Sequence, residues 1–192
     1  MTDSWRRARL AHRDHQAAAI AASALRLVTQ HGAPALSMAA VAREAGVSRQ
    51  TLYRYYGDVD AVLVGIAELV AAHDEDFERL VAEQPDPGSQ LDFVARTITG
   101  TGHAEHSARA LAALLPPEGR DVLSQHEARV HRLVGNVLRH GIDDGSFRND
   151  LDPEADPPLI VGLLAAADPD QPERALALVQ RLVETQTKEP KP

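Results

Sequence analysis

Two sets of residues in this chain of 192 carry side chains suited to chemistry. The first is the run Ser48-Arg49-Gln50-Thr51-Leu52-Tyr53-Arg54-Tyr55. Its arginines can pair bidentately with guanine and its glutamine with adenine, while the hydroxyls suit phosphate or sugar oxygens. The second is a set of imidazoles, His73, His103 and His106, of which the last two stand i, i+3 as helix-borne metal ligands do. Cysteine is absent, which removes disulfides, thiolate metal sites, cysteine nucleophiles and thiol redox sensing together. No Gly-rich phosphate loop, nucleophile motif or paired-carboxylate spacing accompanies the histidines. The sequence therefore predicts no enzyme, no metal and no cofactor. The competing enzymatic reading is a small helical metal-dependent hydrolase built on His73, His103, His106 and nearby Asp or Glu.

Charge separates the two sets. The net charge of −8 argues by itself against a nucleic-acid partner, because phosphate binding needs local positive potential. Residues 1–57, however, hold eight arginines against Asp3, Asp14 and Glu44, a balance of +5, and the rest of the chain holds −13. A basic head precedes an acidic body.

The elements that must position these residues read as helices throughout. The 12 prolines leave long proline-free windows at 35–84, 88–115 and 118–152, where helix interiors are expected. A first helix spans Ala17 to His31, with Ile20, Ala24, Leu27, Val28 and His31 on one face. Ser37 caps a second short helix that ends at Gly46, and Ser48 caps a third, Arg49 to Tyr56, ended by Gly57. From Asp58 an apolar stripe of Val62, Ile66, Leu69, Val70, His73, Phe77 and Leu80 predicts one long helix of about seven turns before Pro85. Further helices are expected at Gln90–Thr99, Glu105–Leu115, Glu118–His140, Pro157–Ala167 and Pro172–Thr187. The fold class is all-α. Its domains are expected at 1–57 and 58–187, with a tail at 188–192. No apolar run approaches the roughly 20 residues of a membrane span, and the first residues lack the apolar core of a secretory signal. The expected location is the cytoplasm, with no membrane partner.

The segment Met38 to Tyr56 meets the mechanical needs of a helix-turn-helix. Ala42 is small where two helices cross, Gly46 supplies a left-handed turn residue four positions later, and Leu52 can pack the second helix onto the first. Here the sequence resembles the TetR family of bacterial transcriptional regulators. The resemblance runs from about Ala22 to Val70 and is carried by Leu36-Ser37-Met38, Val41-Ala42-Arg43-Glu44-Ala45-Gly46-Val47-Ser48 and Thr51-Leu52-Tyr53-Arg54-Tyr55-Tyr56. It implies an N-terminal three-helix DNA-binding domain, a connecting helix, and a C-terminal helical domain that dimerises and houses an effector pocket. The implied protein is a homodimeric, ligand-responsive repressor of a palindromic operator in double-stranded DNA. A dimeric DNA-binding module without an effector is the alternative.

Within that frame Arg49 and Gln50 are candidates for base readout, and Thr51 and Tyr53 for phosphate or sugar. Ser37 and Ser48 can cap helices and still meet phosphate. Arg54 and Tyr55 complete the set, and Arg6, Arg7, Arg9 and Arg13 form a possible DNA-binding arm. Leu52 and Tyr56 are expected in the core, and Arg26 and Arg43 on a solvated surface or paired with Glu44. One departure from the family is Val59, where a phosphate-binding lysine is usual, with Asp58 and Asp60 beside it as expected helix caps. In the body, Ile66, Val70, His73, Phe77, Phe93, His103 and His106 are the pocket candidates, for an apolar or amphipathic small molecule. His126, His131 and His140 read as helix-surface residues. The apolar helices around Leu159–Ala165 and Ala175–Val183 are expected to fill a core or pair with a second subunit.

Overall fold

The structure is a computed structural model that describes residues 2–112, 114–168 and 171–184, and the side chains of these except at 2–11 and 101–111. Its helices are α1 (Thr2–His31), α2 (Met38–Glu44), α3 (Arg49–Tyr55), α4 (Val59–Ala71), α5 (Asp74–Ala82), α6 (Pro87–Ala112), α7 (Pro117–Asp143), α8 (Pro157–Ala165) and α9 (Pro172–Val183), with a short 3-10 turn at Ala33–Ala35. Among the described residues the only β pairing is an isolated antiparallel bridge between Phe147 and Glu184. The chain is all-α, as its sequence predicts.

Three expected helix boundaries are corrected. α1 begins at Thr2, not at Ala17. Residues 2–16 contain neither Gly nor Pro and are rich in good helix formers, but they lack the apolar stripe by which periodicity detects a helix. The two helices expected at Gln90–Thr99 and Glu105–Leu115 are one, α6. The long helix expected from Asp58 to Leu80 is two, α4 and α5, separated at Ala72 and His73. The cause lies in the sequence Asp74-Glu75-Asp76: three carboxylates in a first turn favour a helix N-terminus there, since they face the positive end of the macrodipole. His73 accordingly is no part of an apolar stripe; it is an exposed residue at the break.

The chain forms two compact units, Met1–Ala72 with Ser107–Gln125, and His73–His106 with His126–Pro192. In the first, α1 packs on α2 and α4, and the core joins Ile20, Ala24 and Val28 to Val41, Leu52 and Ile66. The packed unit thus takes in α4, past the change of charge at Gly57. Tyr56 closes this core: it is buried, and its hydroxyl donates to the Ala17 carbonyl at 3.0 Å. Burial first, and the Glu68 carboxylate second, push its phenol up to about 12.

In the second unit the core gathers Leu91, Val94 and Ile98 of α6, Val134 and Leu138 of α7, and Val179 and Val183 of α9. The rings of Phe77 and Phe93 stack at its margin, with centroids 6.1 Å apart. His126, expected on the surface, is instead half-buried against the buried Asp74, its Nδ1 2.6 Å from the carboxylate. Arg129 approaches the other oxygen of Asp74 at 3.6 Å. A carboxylate at the start of α5 is thereby satisfied by two residues of α7, and a buried charge needs such partners.

The Tyr56 arrangement predicts a pH effect. A neutral phenol favoured in the folded state adds stability that is complete below pH 10 and is lost as pH rises toward about 12. Tyr56→Phe is expected to cost about 1 kcal/mol at neutral pH through the lost hydrogen bond, and to flatten that alkaline decline. Urea unfolding at a series of pH values checks both; a variant with the wild-type alkaline slope would contradict the assignment.

Candidate nucleic-acid interface

α3 is seven residues long, too short to persist alone, so its position depends on what fixes its ends and its buried face. At its start Ser48 accepts from the Thr51 amide at 3.0 Å, and the two hydroxyls lie 2.9 Å apart. One element earlier Ser37 caps α2, accepting from the Ala40 amide at 3.3 Å. Between α2 and α3 the chain turns through Gly46, whose φ of +66° is a left-handed conformation that a side chain disfavours. The turn is held by the Val47 amide, which donates to the Ala42 carbonyl at 3.0 Å. Ala42 is buried at the crossing, and Leu52 is fully buried beneath α3.

Burying Leu52 sets the rotation of α3 and hence what faces outward. Arg49, Gln50, Tyr53 and Arg54 are exposed, and Thr51 and Tyr55 are half-buried. Tyr53 is 55% exposed, unusual for a large aromatic side chain that has a core within reach. Tyr55 packs against the core, and the Arg54 guanidinium lies 5.4 Å from the centre of its ring. One short helix therefore presents two guanidiniums, a carboxamide and a phenol on its open side. That combination suits hydrogen bonding to base edges and phosphates at once.

The surroundings of α3 divide into engaged and open groups. Arg26 is engaged, its guanidinium 3.7 Å from Glu44 and bonded to the Ser23 hydroxyl at 2.9 Å, whereas Arg43 is exposed. Asp58 caps α4, accepting from the Ala61 amide at 2.8 Å, and Asp60 is exposed in the first turn. Val59 packs against the core of this unit, so the position carries an apolar contact. Arg13 is exposed on α1; the backbone of Arg6, Arg7 and Arg9 belongs to the same helix, and their side chains lie outside the described residues.

The pocket candidates are placed as follows. Ile66 is fully buried and Val70 half-buried in the first unit, and His73 is exposed at the break before α5. Phe77 and Phe93 stack in the second unit, where Phe93 also lines a groove of about 520 Å³ together with Leu91, Phe147, Val183, Asp86 and Asp92. The side chains of His103 and His106 lie outside the described residues. Among the described residues no three His, Asp or Glu side chains come together as a metal set. Two features escaped the sequence: the pairing of His126 with Asp74, which lies 52 positions away, and an arginine stripe on α7.

Comparison with known proteins places this geometry. Residues 20–66, which run from the C-terminal part of α1 to the middle of α4, match the family model for bacterial regulatory proteins of the tetR family. The chain is 28% identical over 137 residues to the HTH-type transcriptional repressor KstR2 of Rhodococcus jostii (strain RHA1), an alignment covering 67% of this chain and 66% of that protein. In fold it is similar to the reduced form of NemR from E. coli, with a TM-score of 0.74 at 16% identity over 90% of this chain and 100% of that one. It is similar also to the TetR family regulator PfmR of Thermus thermophilus, with a TM-score of 0.68 at 24% identity over 85% and 93%. The matched segment, the capped α2–turn–α3 unit and the all-helical fold agree: over residues 20–66 the chain is similar to bacterial regulatory proteins of the tetR family.

Proposed function

We propose that the protein is a homodimeric, ligand-responsive transcriptional repressor that binds a palindromic operator through α3 of each subunit. The observation that carries this reading is the open face of α3, where Arg49, Gln50, Tyr53 and Arg54 project around a fully buried Leu52. In this role Arg49 and Gln50 at the N-terminal end of the helix read base edges, and Thr51, Tyr53, Ser37 and Ser48 meet the backbone. Arg54, stacked on Tyr55, adds positive potential, and Arg6, Arg7, Arg9 and Arg13 extend it along α1. The relative named as a transcriptional repressor supports the direction of control.

Dimerisation is supported by an apolar surface on the last two helices. Leu159 of α8 is 71% exposed, and Leu178 and Leu182 of α9 are 45% and 44% exposed. Gly162 has open space where a side chain would be, which allows close approach of another helix. A twofold pair buries such a surface in both copies at once, and it places two recognition helices about 34–36 Å apart, one turn of the duplex. The effector of this reading is an apolar or amphipathic small molecule in the second unit, with Phe77 and Phe93 its aromatic surroundings; binding shifts the population away from the operator-competent spacing. The proposed location is the cytoplasm. No helix among the described residues is long and apolar enough to cross a membrane.

Two outcomes are expected. In gel shifts with duplexes selected from a random pool, Arg49→Ala and Tyr53→Ala each weaken the selected complex at least about tenfold, the scale of one lost bidentate or backbone contact, without lowering stability. Wild-type protein with no preference over random duplex at moderate salt would overturn the operator reading. In sedimentation at micromolar concentration, the double variant Leu159→Glu, Leu178→Glu shifts a wild-type dimer toward monomer while keeping its helical spectrum. A wild-type monomer would remove the dimer.

A further inference from the structure

We propose that the second unit holds a separate site for a small anion, a phosphate- or carboxylate-bearing molecule, in a groove on α7 lined by Arg129, Arg132 and Arg139. The groove encloses about 480 Å³. Its arginines follow one another at intervals of three and seven, which return to one face of a helix and spread three guanidiniums along about 15 Å of its axis. The opposite wall is Glu78 of α5 together with Pro153 and Glu154, in the segment leading into α8. That segment comes unusually close to α7: a side chain at Gly135 would overlap the Pro153 carbonyl oxygen. The wall is therefore fixed by backbone contact.

The three arginines differ in what already holds them. Arg139 donates to the Asn136 side-chain oxygen at 2.9 Å and reaches Glu154 at 3.4 Å. Arg129 lies 3.6 Å from Asp74, whose other oxygen faces His126. Arg132 is exposed and has no hydrogen-bond or ion-pair partner among the described residues. The side chains of Arg129 and Arg139 are 44% and 49% exposed, so both heads reach the solvent of the groove. Glu78 and Glu154 line the groove too, and with them counted the cleft keeps an excess of one positive charge, beside His131.

This excess sits within a stretch whose balance is −13, and the contrast selects the ligand. A long polyanion such as nucleic acid feels the whole acidic body and is repelled, whereas a small anion feels mainly the groove. Guanidinium forks match carboxylate and phosphate oxygens two at a time, and Arg132 offers an unoccupied fork between two that are already oriented. Arg129 links the site to the Asp74–His126 pair behind it. A bound anion competes with Asp74 for Arg129 at the start of α5, which follows the break at His73. The site involves no residue of α3 and stands independently of the operator reading.

The test uses the full-length protein in phosphate-free buffer at low salt, titrated by calorimetry with pyrophosphate and, separately, with tricarballylate. One equivalent of probe is expected to bind per chain. Arg132→Gln should weaken binding about tenfold or more, the scale of one lost bidentate contact, while Arg174→Gln, which removes the same charge from α9, leaves it within about twofold. In the wild type, ring signals of His131, beside the groove, and of His126, behind Arg129, should shift on saturation. Tighter binding of pyrophosphate identifies a phosphate ligand, and tighter binding of tricarballylate a carboxylate one. The site is overturned if neither probe binds, or if Arg132→Gln and Arg174→Gln weaken binding equally, the behaviour of diffuse ion attraction. Because Arg132 is exposed and unpartnered among the described residues, its variant should melt as the wild type does, so a loss of binding reads on the groove.

Discussion

Everything the candidate interface does depends on the burial of one side chain, Leu52. A helix as short as α3 gains too little from its own hydrogen bonds to hold a fixed direction. Inserting Leu52 into the core beneath it supplies the missing free energy, on the order of a few kcal/mol for a fully buried leucine, and it also sets the helix's rotation. The flanking devices act at the ends of the same lever: the Ser48 cap at one end, the Tyr56 hydroxyl on the Ala17 carbonyl just past the other. Because the Tyr56 contact reaches α1, the short helix is referenced to the longest element of its unit and not merely to its neighbour in sequence.

The electrostatic division reinforces this mechanical one. Positive charge collects on 1–57, where arginines stand on α1, α2 and α3, while the remaining residues are strongly acidic. In the head the arginines near α3 are only weakly engaged: Arg26 has Glu44, and Arg54 has the face of Tyr55. In the second unit most arginines are matched locally, as with Arg79 between Asp76 and Glu83, Arg96 between Asp92 and Glu173, and Arg148 with Asp150. Hydrogen bonds to these carboxylates raise the guanidinium basicity further, so these pairs stay charged and spent. In the groove on α7 that matching is incomplete at Arg132, which has no hydrogen-bond or ion-pair partner among the described residues.

Features written in local chemistry were legible in the sequence, and features that need a distant partner were not. Ser37, Ser48 and Asp58 cap helices by bonding an amide three residues on, so a single short window contains both halves of each contact. Gly46 and Leu52 were readable for the same reason, as a turn and a buried face within one motif. The break between α4 and α5 was hidden because Phe77 follows His73 at helical spacing, so the apolar phase continues across a point where the backbone does not. The carboxylate run Asp74-Glu75-Asp76 marks that start, but its meaning depends on where Asp74 goes, and its partner His126 lies 52 residues away. The first half of α1 is helical without an amphipathic stripe, and periodicity has nothing to detect there. At the pocket candidates, composition could supply apolar and aromatic residues but not say which of them share a wall.

The rotation of α3 has an evolutionary consequence. Arg49, Gln50, Tyr53 and Arg54 are exposed in the free protein, so exchanging them costs the fold little, while Leu52, Ala42 and Gly46 are held by packing and backbone geometry. Sequence preference and foldability are thus carried by different residues of the same short motif. Duplicated copies of such a gene can drift toward new binding sites by single substitutions, each passing through a folded protein, and the same separation lets an engineer recode the helix without first stabilising the scaffold.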